Sequence, residues 1–126
     1  MNPLESNAMY YYTEIHPSTR LPIRGTDSLI QGVSIEPYTT PIGGAQGAIH
    51  WFDKIAGYQR TIEVETIPSL REKSFTIIGT KGIGCFFQYI DLDVYNRLVR
   101  QLLPAAPPFT SEIEIQKYLK TLNPYV

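Results

Sequence analysis

The run His50-Trp51-Phe52-Asp53 is the densest set of side chains with chemistry to offer in this sequence. An imidazole and a carboxylate are the parts of a general base and its orienting partner. On a strand, however, His50 and Phe52 point one way while Trp51 and Asp53 point the other, so the pair does not face itself locally. Cys85 is the single cysteine. As a thiolate, with His50 as base and an acidic residue, it would form a nucleophilic constellation assembled by the fold. Between Gly84 and Phe86 in an apolar strand, it reads instead as a small core hydrophobe. The two histidines, His16 and His50, are far apart and show no metal-ligand spacing, so neither a metal nor a cofactor is expected.

Two glycine-rich segments invite comparison with phosphate cradles. Residues 41–47, which contain Gly43 and Gly44, lack the Lys-Ser/Thr ending of a nucleotide loop and lead into a strand pattern where such a loop would lead into a helix. Residues 79–84 likewise join two strand patterns, across Lys81-Gly82. Both read as turns whose backbone amides could still nest an anion, with Thr39, Thr40 and Lys81 as helpers. Arg20 and Arg24 stand on a proline-stiffened segment and are suited to gripping a carboxylate or phosphate. Tyrosine is the most persistent signal. Tyr10, Tyr11, Tyr12, Tyr38, Tyr58 and Trp51 supply more aromatic area than one small core readily absorbs, and such residues are enriched at binding surfaces.

The elements that must position these groups follow from pattern. Residues 10–15 are β-favouring and end at His16-Pro17. Residues 17–27, with Pro17, Pro22 and Gly25, read as a loop; residues 29–35 alternate as a strand. Pro37, Pro41, Gly43, Gly44 and Gly47 make residues 37–47 a long irregular loop. Residues 48–53 and 58–67 form a hairpin across a turn ending at Gly57, with Ile62 and Val64 alternating against Thr61, Glu63 and Glu65. Residues 74–80 and 83–90 form a second hairpin, whose later strand is apolar on both faces and so belongs near the middle of a sheet. The period then changes. Asp91 or Asp93 caps a helix with Leu92, Tyr95, Leu98, Val99 and Leu102 at helical spacing, ended by Pro104. Ser111 with Glu114 is a capping box for a second helix with Ile115, Tyr118, Leu119 and Leu122, stopped by Asn123-Pro124.

The expected fold class is α+β: an antiparallel β-sheet of about five to six strands, followed by two short C-terminal helices packed on one face. Residues 1–8 read as a disordered or tag-derived tail, with Ser6-Asn7-Ala8 before Met9 resembling a cleavage scar; residues 9–126 read as a single α+β domain. The chain has 126 residues, 43% of them hydrophobic and 18% charged, enough for a real core. Twelve acidic and eleven basic residues leave a net charge of −1, which disfavours a nucleic-acid partner or an anionic membrane. No apolar run reaches membrane-spanning length, and one cysteine suits a reducing, cytoplasmic setting.

Two functional expectations result. The first is a non-catalytic interaction module whose aromatic surface comprises Tyr10, Tyr11, Tyr12, Tyr58 and Trp51, binding a protein or a second copy through an N-terminal edge strand. The second is a small-molecule binder, acting as sponge, sensor or carrier for an anionic or nucleotide-like ligand, using Arg20, Arg24 and the Gly43-Gly44 loop. A small Cys/His enzyme ranks third.

Overall fold

The computed structural model describes residues 8–122. Six strands come first: β1 (Met9–Ile15), β2 (Ser28–Ile42), β3 (Ala45–Asp53), β4 (Tyr58–Val64), β5 (Ser74–Ile78) and β6 (Gly84–Tyr89). They make one antiparallel sheet in the order β4-β3-β2-β1-β6-β5. Every pair of chain neighbours is joined except β4 and β5, the two edges. These meet through a single bridge, Val64 to Gly79, with Thr80 N–H donating to the Glu63 carbonyl at 3.0 Å. The sheet therefore curls until its edges touch, giving a barrel with one thin seam.

A curled sheet has an inside and an outside, and period-two alternation sorts the residues between them. Inside lie Tyr10, Tyr12, Ile30, Ile49, Trp51, Val64, Phe75, Ile77, Cys85, Phe87 and Tyr89. A second cluster, on the other face, joins Met9, Tyr11 and Leu29 of the strands to Val94, Tyr95, Val99, Ile115 and Leu119 of the helices. β1 feeds both clusters because it pairs with β2 on one side and β6 on the other. It is a central strand and not the edge strand expected from sequence. Three consecutive tyrosines are thus the signature of a strand buried on both faces.

The expected loop over residues 37–47 is also corrected. β2 continues through Pro37, β3 starts at Ala45, and only Gly43 and Gly44 turn the chain, with φ of 56° and 86° that glycine adopts without strain. Proline is tolerated because β1 pairs with β2 only as far as Gln31. Beyond that point, β3 is the neighbour of β2 among the described residues, so the missing N–H disrupts no second ladder.

The first helix comes in three pieces: α1 (Leu92–Val94), a π-helical turn (Tyr95–Val99) and α2 (Arg100–Leu102). Asp91 caps it by accepting from Val94 N–H at 2.9 Å. Val94 takes the buried place expected for Leu92, which is exposed. Ser111 caps α3 (Glu112–Lys120), which buries Ile115 and Leu119 as its spacing predicts. Gln116 ties α3 to the sheet. Its Oε1 accepts from Met9 N–H at 2.8 Å, and its Nε2 donates to the carbonyls of Met9 at 3.1 Å and Ile90 at 3.2 Å. All three bonds are buried, so each replaces water that the backbone ends would otherwise lose. The expected stop at Asn123-Pro124, and the expected tail apart from Ala8, lie outside the described residues. Among the described residues, no helix is long and apolar enough to cross a membrane.

Candidate functional site

The barrel interior changes character from one end to the other. Phe75 and Phe87 stack at 4.6 Å between centroids, and Tyr10 meets Phe75 and Tyr89 edge-on. Trp51 follows, packed against Phe87 at 5.2 Å and Tyr12 at 5.5 Å. Above these two rings sits Arg60, its guanidinium carbon 5.4 Å from the Tyr12 centroid and 5.6 Å from that of Trp51. A cation over ring faces is favoured by the ring quadrupole, more so when partly desolvated.

Local structure explains why an arginine is there. In β4, Arg60, Ile62 and Val64 share the inward face, and Arg60 is the direct cross-strand partner of Trp51. Glu14 at the end of β1 and Asp53 at the end of β3 complete the polar layer. Arg60 Nη2 lies 3.8 Å from Glu14 Oε2 and Nη1 lies 3.9 Å from Asp53 Oδ2. Both distances hold charge together but exceed hydrogen-bonding range. Burial works against the Arg60 charge, yet the surrounding phenols and carboxylates hold its pKa above the ordinary value. Asp53 is occupied elsewhere: it accepts from Ser28 Oγ and from the amides of Ile55 at 3.0 Å and Ala56 at 2.8 Å, fixing the β3–β4 turn.

Beside Arg60 is a cleft of about 270 Å³ between β4 and the β5–β6 turn. One wall is Arg60, Thr61, Ile62 and Glu63; the other includes Gly79, Thr80, Lys81 and Ile83; Trp51 and Cys85 also line it. Trp51 is buried, and its Nε1–H has no hydrogen-bond partner among the described residues. Cys85 Sγ lies 3.4 Å from Tyr12 Oη, and burial pushes the thiol pKa up. Burial likewise raises the Tyr12 phenol, so both groups are neutral near pH 7. A neutral buried thiol is a poor nucleophile, which fits the core reading of Cys85.

The aromatic residues singled out in the sequence fall mostly elsewhere than expected. Tyr10, Tyr11, Tyr12 and Trp51 are all buried, so they form core and not surface; Tyr58 is 53% exposed and Tyr38 is half-buried. Arg20 and Arg24 lie in the β1–β2 connection, and Gly43 and Gly44 at the far end of β2. The fifteen residues of β2 stand between the two groups. Arg20 instead borders a small cavity with Ile15, His16, Pro17, Thr76 and Ile78.

On the outer face, the structure assembles a row that sequence spacing missed. His50 Nε2 is 2.9 Å from Glu36 Oε1, and its Nδ1 is 2.9 Å from Thr61 Oγ1. Carboxylate, imidazole and hydroxyl in this order are the parts of an activated nucleophile. The row is, however, a cross-strand ladder over β2, β3 and β4 on an open sheet face, with Glu36 60% exposed, and neither Glu36 nor His50 lines the cleft. His50 and Asp53 point to opposite faces, as alternation requires.

Arg60 was legible in principle. It is the cation on the apolar side of the Ile62/Val64 alternation, a position at which a charge needs a reason. No group of three or more His, Cys, Asp or Glu comes together in a metal-binding arrangement among the described residues. No protein-family model, curated protein or solved structure matches this chain.

Proposed function

We propose that this chain is a non-catalytic binding module that takes a small anionic ligand in the cleft between β4 and the β5–β6 turn. The observation that carries the reading is a set of donors without matching acceptors. Trp51 Nε1–H is buried and unpartnered, Arg60 stands beyond hydrogen-bonding range of both its carboxylates, and Lys81 borders the same space. Indole, guanidinium and ammonium groups donate and do not accept, so they favour an oxygen-rich anion. Tyr12 and Cys85 are neutral, Arg60 shares its charge with Glu14 and Asp53, and Glu63 on the cleft wall accepts from Tyr38 Oη at 3.1 Å, so Lys81 is the cation of the cleft whose charge is not already shared. A single cysteine, which can form no internal disulfide, suits a reducing compartment, and a cytoplasmic location belongs to the same proposal.

A thermal-shift comparison tests this. Phosphate, acetate and benzoate are set against uncharged glucose, because an anion at 100 times its dissociation constant adds about 2.7 kcal/mol to stability. The midpoint is expected to rise with one or more anions and not with glucose, and the Lys81→Glu variant is expected to lose the response. Equal responses in both proteins, or none, would contradict the reading.

Self-association is a second reading, favoured by Tyr58 of β4, Ile78 of β5 and Ile83 of the β5–β6 turn, which are 53%, 49% and 46% exposed. Sedimentation velocity tests it: a concentration-dependent dimer that Ile78→Lys dissociates supports this reading, and a monomer at all concentrations removes it.

A further inference from the structure

We infer that the ligand of the cleft is flat: a planar aromatic ring carrying one anionic group, stacked on the guanidinium of Arg60. This rests on the anion reading above and adds to it the shape of the ligand.

Three observations converge on shape. The Arg60 guanidinium carbon lies over the Tyr12 and Trp51 rings, 5.4 and 5.6 Å from their centroids. The side chain is nevertheless 28% exposed and lines the cleft. A planar, weakly hydrated guanidinium stacks on aromatic rings, and Arg does this where Lys does not.

The second observation is the narrowness of the space. A Cβ placed on Gly79 would lie 2.5 Å from Ile62 Cδ1 and 2.9 Å from Ile62 Cγ1. The walls are therefore in contact at Ile62 and Gly79, next to the Val64–Gly79 bridge. The cleft is a slot pinched shut at one end, with Arg60 further along the same wall. A slot admits a plate more readily than a sphere.

The third is size and polarity. About 270 Å³ falls just under the roughly 300–1,000 Å³ of sites for drug-sized ligands, so one ring system fits and a dinucleotide does not. Ile62 and Ile83 give the ring apolar contact, while Lys81 and Thr80 stand on the facing wall for the anionic group.

The test is a calorimetric titration with benzoate and with cyclohexanecarboxylate, which share charge and carbon number and differ in planarity. Benzoate is expected to bind about tenfold tighter, the scale of one planar stacking contact. In Arg60→Lys, which keeps the charge and removes the plane, that preference is expected to vanish while both acids still bind. Equal affinities in the wild-type protein would overturn the flat-ligand inference and leave the anion reading standing. Binding of neither acid would overturn the flat-ligand inference, and, together with no midpoint shift from phosphate or acetate, the anion reading as well. A benzoate preference that survives in Arg60→Lys would overturn the assignment to Arg60. Far-UV circular dichroism establishes that the variant is folded; if it is not, the wild-type ratio decides alone.

Discussion

The two ends of the barrel interior share the same strands and the same inward alternation, yet they are built on opposite terms. At one end Phe75, Phe87, Tyr10 and Tyr89 bring rings that satisfy one another by edge and face. At the other, Trp51 and Arg60 bring donors that outnumber the acceptors within reach. A packed end contributes stability and tolerates no loss of volume. An end with surplus donors contributes little stability and keeps its capacity for a partner. This difference within one core separates the part of the molecule that folds it from the part assigned here to a ligand.

The largest expected effect lies at the packed end. Phe87→Ala removes a fully buried ring that touches Phe75, Tyr12 and Trp51, and is expected to cost about 3–5 kcal/mol in urea unfolding. A cost below about 1 kcal/mol would mean that this end is not the packed one. Next comes Gln116→Leu on α3. It removes three buried hydrogen bonds to the backbone of Met9 and Ile90, leaving the Met9 carbonyl only its bond from Ile90 N–H at 3.3 Å, with an expected loss of about 1–3 kcal/mol.

Alkali should also attack the buried phenols, Tyr10 at the packed end, Tyr12 under Arg60 and Tyr11 beneath the helices. Burial raises the Tyr10 pKa to about 12, and Tyr11 and Tyr12 are raised as well. A phenol that stays protonated in the fold but ionises near pH 10 when unfolded adds stability below pH 10, which is lost as pH rises toward 12. Tyrosinate absorbance from the buried Tyr10, Tyr11 and Tyr12 is expected to appear late and together with loss of structure, after that of exposed tyrosines such as Tyr58. Ionisation of all nine tyrosines in one gradual step near pH 10 would contradict the burial of these three.

Smaller effects complete the contrast. Ser111→Ala removes the α3 cap and is expected to cost about 1 kcal/mol. Arg60→Gln at the cleft end is expected to change stability by less than about 1 kcal/mol, since its ion pairs are long and partly exposed, while abolishing anion binding. A large loss of stability there would merge the two ends into one structural core.

Much of the fold is legible in the sequence. The Lys54–Gly57 turn, the two hairpins flanking it and Lys81-Gly82, the Asp91 and Ser111 caps, and the antiparallel sheet with two following helices all follow from local pattern. Such features depend on neighbours in the chain. The misreadings share another cause. Pro37 marks a loop only if strands flank β2 on both sides, and the triple tyrosine marks a surface only if β1 is an edge. Strand order decided both. The site was harder still. Trp51 and Cys85 were visible as residue types, but the cleft depends on the β4–β5 seam, a contact between strands that no short-range pattern joins. Arg60 announced itself by its place on the apolar side of β4, and the Glu36–His50–Thr61 row depended on register across three strands.

The most direct test of the cleft follows the indole N–H of Trp51, the only tryptophan in the chain, by ¹H–¹⁵N correlation spectroscopy during titration with benzoate. If the unpartnered donor belongs to a ligand site, this single indole resonance moves as the anion binds, with the Lys81 amide, and does not move in Lys81→Glu. An indole resonance that stays fixed while benzoate saturates the protein would place the ligand elsewhere and contradict the account.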